Sequence, residues 1–93
     1  MTAPHAHRIE LRHVPECAHV ETTRRLLRDV VNALGLKIEI QELEGQYPSP
    51  SVLVDGVDVM GDPGFVGGGC RLDLPDRLRL ETYLRPLVGA NLK

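Results

Sequence analysis

The chain of 93 residues carries two cysteines, Cys17 and Cys70, and these are its strongest candidates for chemistry. A thiolate is both a nucleophile and a soft-metal ligand, and a pair of thiols can cycle between dithiol and disulfide. Cys17 lies between a short alternating run and a long amphipathic run. A helix N-terminus is expected there, whose free N–H groups and dipole favour a thiolate. Glu16 and Glu21 place opposing charge nearby, and no C-x-x-C accompanies Cys17. A small buried hydrophobe is the bland alternative for this residue. Cys70 follows a glycine-rich stretch, with Arg71 as its local positive charge.

Other side chains extend the options. Cys17-x-His19 together with Cys70 could bind Zn²⁺ or Cu(I), but the spacing matches no standard zinc pattern. His5, His7 and His13 read more simply as solvated groups, so neither a metal nor a cofactor is assigned. Asp73 completes a Cys70-x-x-Asp73 spacing and could act as an acid, yet it reads first as a helix cap. Arg24, Arg25 and Arg28 read as a solvated helix face. Gly61 to Gly69 lacks the Gly-Lys-Ser/Thr and helix of a phosphate loop.

Composition narrows the partners. Aromatic residues make up 3% and the formal charge is −2, which disfavours nucleic acid because stacking platforms and phosphate-neutralising charge are both scarce. No run approaches the roughly 20 apolar residues of a membrane span, and MTAPHAHRIE lacks the apolar core of a signal peptide. A cytoplasmic protein that binds neither nucleic acid nor membrane is expected. In that compartment a cysteine pair is more often reduced, catalytic or metal-binding than a structural staple.

The elements that must position these groups follow from hydrophobic period. Hydrophobic content of 42% and charged content of 26% fit one soluble domain over residues 1–93, with 1–7 flexible and 61–69 a glycine-rich loop. Ile9 and Leu11 alternate with Glu10 and Arg12, predicting a strand that ends near Pro15. Val20, Leu27, Val30, Val31 and Leu34 form the apolar face of a helix that stops at Gly35. Leu36, Ile38 and Ile40 predict a second strand, parallel to the first across a right-handed helical crossover. Ser51–Val54 and Val57–Met60 flank Asp55-Gly56, a strong hairpin signal. A final helix is predicted from about Asp73, with Leu80, Tyr83, Leu84, Leu87 and Val88 inward and Pro86 ending or kinking it.

This order, β-α-β-β-β-α, predicts an α/β protein with a mixed four-stranded sheet and two helices, the topology of the thioredoxin-like fold. In that topology Cys17, Pro50 and the end of the fourth strand share one edge. The chain from Met60 has the reach to bring Cys70 to Cys17, while the glycine loop serves equally to hold it apart.

Three segments carry a resemblance: Glu16-Cys17-Ala18-His19, Ser49-Pro50-Ser51-Val52-Leu53-Val54-Asp55-Gly56, and Cys70-Arg71-Leu72. In that order the chain resembles the small bacterial thioredoxin-like proteins often labelled alkylmercury lyase or thioredoxin family. The first segment lacks the Gly before and the Pro-Asn after the cysteine that typify the group. The resemblance implies catalytic Cys17 and Cys70, a cis Ser49–Pro50 bond with Ser49 and Pro50 on the substrate side, and a small thiol, disulfide or soft-metal substrate. It thus implies either a thiol–disulfide oxidoreductase or an alkylmercury-lyase-like activity, in which Cys17, Cys70 and Asp73 would hold the metal and protonate the leaving carbon. The residues alone leave a non-catalytic metal- or thiol-binding module, or a protein-interaction module, as alternatives. Cys17 is expected to be the more reactive thiol unless it is buried.

Overall fold

The computed structural model describes residues 7–15, 17–61, 67–71 and 73–88. Its elements run β1 (Ile9–His13), α1 (Val20–Ala33), β2 (Ile40–Glu44), β3 (Pro48–Ser49), β4 (Ser51–Val54), β5 (Val57–Asp58), β6 (Gly69–Cys70) and α2 (Arg77–Leu84). A four-stranded mixed sheet has the order β2-β1-β4-β5. β1 runs parallel to β2 and antiparallel to β4, and β5 returns antiparallel to β4.

One sheet face makes the core. Ile9 sits opposite Val54 and Leu11 opposite Val52, and these side chains pack with Leu27, Val30 and Val31 of α1 and with Leu80 and Leu84 of α2. The two helices also touch each other, which sets both on that face. The period-two pattern of β1 and the three-four spacing of α1 aim their apolar side chains at one volume. Residues of the opposite parity, Glu10, Arg12, Ser51, Leu53 and Asp58, form the other face.

Local chemistry explains most element ends. α1 closes in a Schellman motif: Gly35, at φ 70°, donates its N–H to the Asn32 carbonyl (3.1 Å), and Leu36 donates to Val31 (3.1 Å). That closure also corrects the second strand, which begins at Ile40 and not at Leu36. The Leu36 N–H is committed to the helix end. Upstream of Ile9 the β1–β4 register continues by one residue, where Arg8 donates its N–H to Asp55 Oδ1 (2.7 Å) and accepts from the Asp55 N–H (2.8 Å). The ladder between β1 and β2 accordingly runs from Ile9 opposite Ile40 to His13 opposite Glu44, and residues 36–39 lie outside it. Asp55 and Gly56, at φ 51° and 85°, make the turn with two positive φ values that suits a two-residue hairpin. β5 is shorter than its sequence pattern because the Asp58 carboxylate accepts the Met60 N–H (2.8 Å) and turns the chain.

The cap of α2 is a second correction. Asp76, not Asp73, accepts the Arg79 N–H (2.8 Å) at the N-cap. Leu74 would be the first helical residue after an Asp73 cap, and the residue before a proline avoids helical geometry. The short parallel pair β3–β6, with Ser49 opposite Cys70, was not foreseen. It places part of the expected glycine loop in a strand, and residues 62–66 of that loop lie outside the described residues, as do residues 1–6 of the expected flexible end.

Candidate functional site

Cys17 sits in the turn between β1 and α1, where its carbonyl accepts the Val20 N–H (3.2 Å). Cys70 ends β6. The two form a disulfide across 53 residues of sequence, with their Cα atoms 6.2 Å apart. That separation lies within the usual range of about 4.4–6.8 Å for bridged cysteines. Cys17 is buried, at 8% exposure, and Cys70 is exposed. Accessibility thus runs against the expected order of reactivity, because an incoming reagent meets Cys70 first.

Ser49 and Pro50 lie under the pair. The Ser49–Pro50 peptide is cis, as the motif implied, and both residues are buried. Cys17 Sγ is 3.8 Å from the Ser49 carbonyl oxygen, which also accepts the Arg71 N–H at 2.7 Å. Ser49 Oγ is buried and makes no hydrogen bond among the described residues.

An open groove of about 240 Å³ adjoins Cys17, lined in part by His13, Val20, Glu21, Arg24 and Glu44. The charge that the sequence places there is largely paired. Arg24 donates from Nε (2.7 Å) and Nη2 (2.9 Å) to the Glu42 carboxylate and pairs with Glu21 as well. Hydrogen bonds from Arg25 and Arg24 hold the Glu21 carboxyl below its ordinary value, and those from Arg24 do the same for Glu42. Glu21 therefore acts on Cys17 as part of a compensated pair, while Glu16 lies outside the described residues. His19 occupies the N-cap of α1 without a side-chain capping bond, so of the first-turn N–H groups that of Val20 is held by the Cys17 carbonyl and none is taken by the His19 side chain.

Cys17, Cys70, Ser49 and Pro50 are brought together; the proposed metal-ligand set is not. No group of three or more His, Cys, Asp or Glu among the described residues is arranged to hold a metal ion. His7 instead contacts Asp55 Oδ2 (2.7 Å) on the far side of the hairpin, and His13 Nε2 lies 3.6 Å from Glu42 Oε1.

Sequence reasoning marks Arg71 only as the local positive charge beside Cys70 and misses its burial: it is 1% exposed and the largest fully buried side chain described. Its Nε and Nη2 donate to the two Asp73 carboxylate oxygens (3.0 and 2.9 Å), and Nη1 donates to Asp58 Oδ2 (2.9 Å) and Ser51 Oγ (2.7 Å). Ser51 Oγ in turn donates to the Pro48 carbonyl. The guanidinium holds the Asp73 carboxyl below its ordinary range, and the same bonds push the Arg71 pKa up. Asp73 is thus a partner of Arg71 and not the expected cap. A Cys-Arg dipeptide with an aspartate close behind was the available signal, but nothing local distinguishes it from a surface pair.

Comparison with family models, curated proteins and solved structures returned no match. The functional reading accordingly rests on the geometry of the pair.

Proposed function

We propose that the protein is a thiol–disulfide exchange protein of thioredoxin-like topology, with Cys17 and Cys70 as its redox couple. The observation that carries this reading is a disulfide joining a buried cysteine just before a helix to an exposed one across 53 residues of sequence. The element order and the parallel–antiparallel pattern of the four-stranded sheet support the topology.

The exchange has a defined order. A substrate thiolate attacks Cys70 Sγ, forming a mixed disulfide and breaking the Cys17–Cys70 bond. The electron pair leaves on Cys17, where the uncapped first turn of α1 stabilises the thiolate. A second substrate thiolate attacks the substrate sulfur of the mixed disulfide and displaces Cys70 as thiolate. Two substrate thiols are oxidised to a disulfide and the protein is reduced to its dithiol; the reverse sequence reduces a disulfide substrate. In a reducing cytoplasm the dithiol would be the resting form.

The alkylmercury-lyase alternative needs a protonated acid beside two thiols to deliver a proton to the leaving carbon. Asp73 suits that role poorly, because Arg71 grips both carboxylate oxygens and keeps the group ionised. A purely structural staple differs from a redox couple in one measurable respect: it does not equilibrate with small thiols in the folded state.

The test is equilibration in glutathione buffers, with dithiol and disulfide quantified by alkylation and mass. Reversible interconversion of the folded protein is expected. In the single-thiol variants, glutathione disulfide is expected to react faster with Cys70 in Cys17→Ser than with Cys17 in Cys70→Ser. Slow, equal reaction of both thiols, with pH dependence like that of a free cysteine, would refute the exchange function.

A further inference from the structure

The Cys70 side of the couple stands on a slender support. β6 pairs with β3 over two residues, and Gly67 and Gly69 just before Cys70 have φ values of 88° and 152°, conformations that side-chain-bearing residues rarely adopt. A two-residue ladder by itself would hold a reduced Cys70 only weakly. Immediately after Cys70, however, Arg71 reaches under the sheet. Its guanidinium spans Ser51 on β4, Asp58 on β5 and Asp73 beyond it, while its backbone N–H binds the Ser49 carbonyl that Cys17 Sγ approaches. Through Ser51 Oγ it also reaches Pro48. One buried residue, through its backbone N–H and its guanidinium, therefore ties together the Cys70 segment, the Pro48–Ser49 segment and the sheet.

We infer that Arg71 is the positioning residue of the redox couple: its buried ion network keeps Cys70 beside Cys17 in the dithiol and so sets how readily the disulfide forms. The inference rests on the exchange function proposed above. Its physical basis is effective concentration, since closing the disulfide in a folded dithiol is an intramolecular step whose equilibrium depends on how well the partners are held in reach. Charge-assisted hydrogen bonds from a planar guanidinium fix position and orientation more tightly than a lysine ammonium can. Arg71 touches no reacting atom, so it acts through Cys70 and Ser49.

The experiment measures the equilibrium constant between dithiol and disulfide against glutathione for the full chain and for Arg71→Met, Arg71→Lys, Asp73→Asn and Leu84→Ala. Circular dichroism and urea unfolding of each reduced protein are recorded alongside. Arg71→Met is expected to weaken the disulfide about tenfold, which for a two-electron couple is a rise of about 30 mV in potential. Arg71→Lys should recover only part of this, and Asp73→Asn should lose severalfold. Leu84→Ala removes a buried core side chain away from the cysteines. It should lower stability while leaving the constant within about twofold, because both redox forms remain folded.

If Arg71→Met fails to fold, Arg71→Lys and Asp73→Asn carry the test, since each keeps a partner for the buried groups. A wild-type disulfide that equilibrates, with unchanged constants in those variants, overturns the positioning role and leaves the exchange function standing. A constant that merely tracks stability, with Leu84→Ala shifting it as much as the network variants, also overturns it. A wild-type dithiol that never oxidises overturns both.

Discussion

Two arginines, one lining the groove at Cys17 and one next to Cys70, each bind a pair of carboxylates, and their surroundings give them different weight. Arg24 bridges Glu42 and Glu21 beside Cys17, where all three side chains keep between 23% and 56% of their surface in water. Arg71 bridges Asp58 and Asp73 beside Cys70 with its own side chain 1% exposed. Solvent screens the first set, so its loss changes little. In the second, the guanidinium has left water and relies on its partners; removing one end strands a buried charge or polar group. Similar contacts on paper are thus expected to differ in energy, and the better-protected guanidinium is the one attached to the accessible cysteine.

The largest effect should come from cutting the buried set. Arg71→Met is expected to lower stability by about 3 kcal/mol in urea unfolding, the lower end of the range for breaking a buried pair, because Asp58 and Asp73 keep 19% and 42% of their side-chain surface in water. A loss below about 1 kcal/mol would erase the contrast between the two networks. Asp58→Asn keeps the shape and one acceptor but removes the charge, and about 1.5–3 kcal/mol is expected from hydrogen bonds to charged groups.

Asp73 is more open, with its side chain 42% exposed, so Asp73→Asn should cost only about 1 kcal/mol after allowance for screening. The pH dependence has a definite sign. Because Arg71 lowers the folded-state pKa of Asp73, its contribution is present above the ordinary carboxylate range and is lost as pH falls through the lowered value. Asp73→Asn should flatten that acid limb of the stability curve. Glu42 has the same sign, since Arg24 lowers its pKa.

The smallest effect belongs to Arg24→Met, expected at about 0.2–1 kcal/mol and fading further in 1 M salt. Persistence of the full Arg24 effect at high salt would show the surface set to be as well protected as the buried one. In the same salt series the Arg71 variants should keep most of their loss.

Much of the architecture was legible before any coordinates. Alternation in Ile9–Leu11, the spacing from Val20 to Val31, Gly35 after the helix and Asp55-Gly56 between strands are signals within a few residues of one another, and backbone geometry answers to them directly. The misplaced start of β2 shows where such signals stop. Leu36, Ile38 and Ile40 alternate as a strand should, yet the Leu36 N–H closes the helix and pairing with β1 begins only at Ile40. Asp73 shows the same limit in another form: its position in sequence reads as the cap of α2, yet Asp76 caps the helix and Arg71 claims Asp73.

By itself, then, the sequence determined the two helices, the strands of the four-stranded sheet and their order, the hairpin and the two cysteines as the reactive candidates, because these depend on local period, turn chemistry and side-chain type. Tertiary structure alone decided that Cys17 and Cys70 join across 53 residues, that Cys17 is the covered member, and that Arg71 leaves solvent for Ser51, Asp58 and Asp73. The reason is that burial and long-range pairing belong to surfaces assembled from several elements. A charged side chain written beside a cysteine carries no local mark of whether it will point to water or be enclosed beneath a sheet.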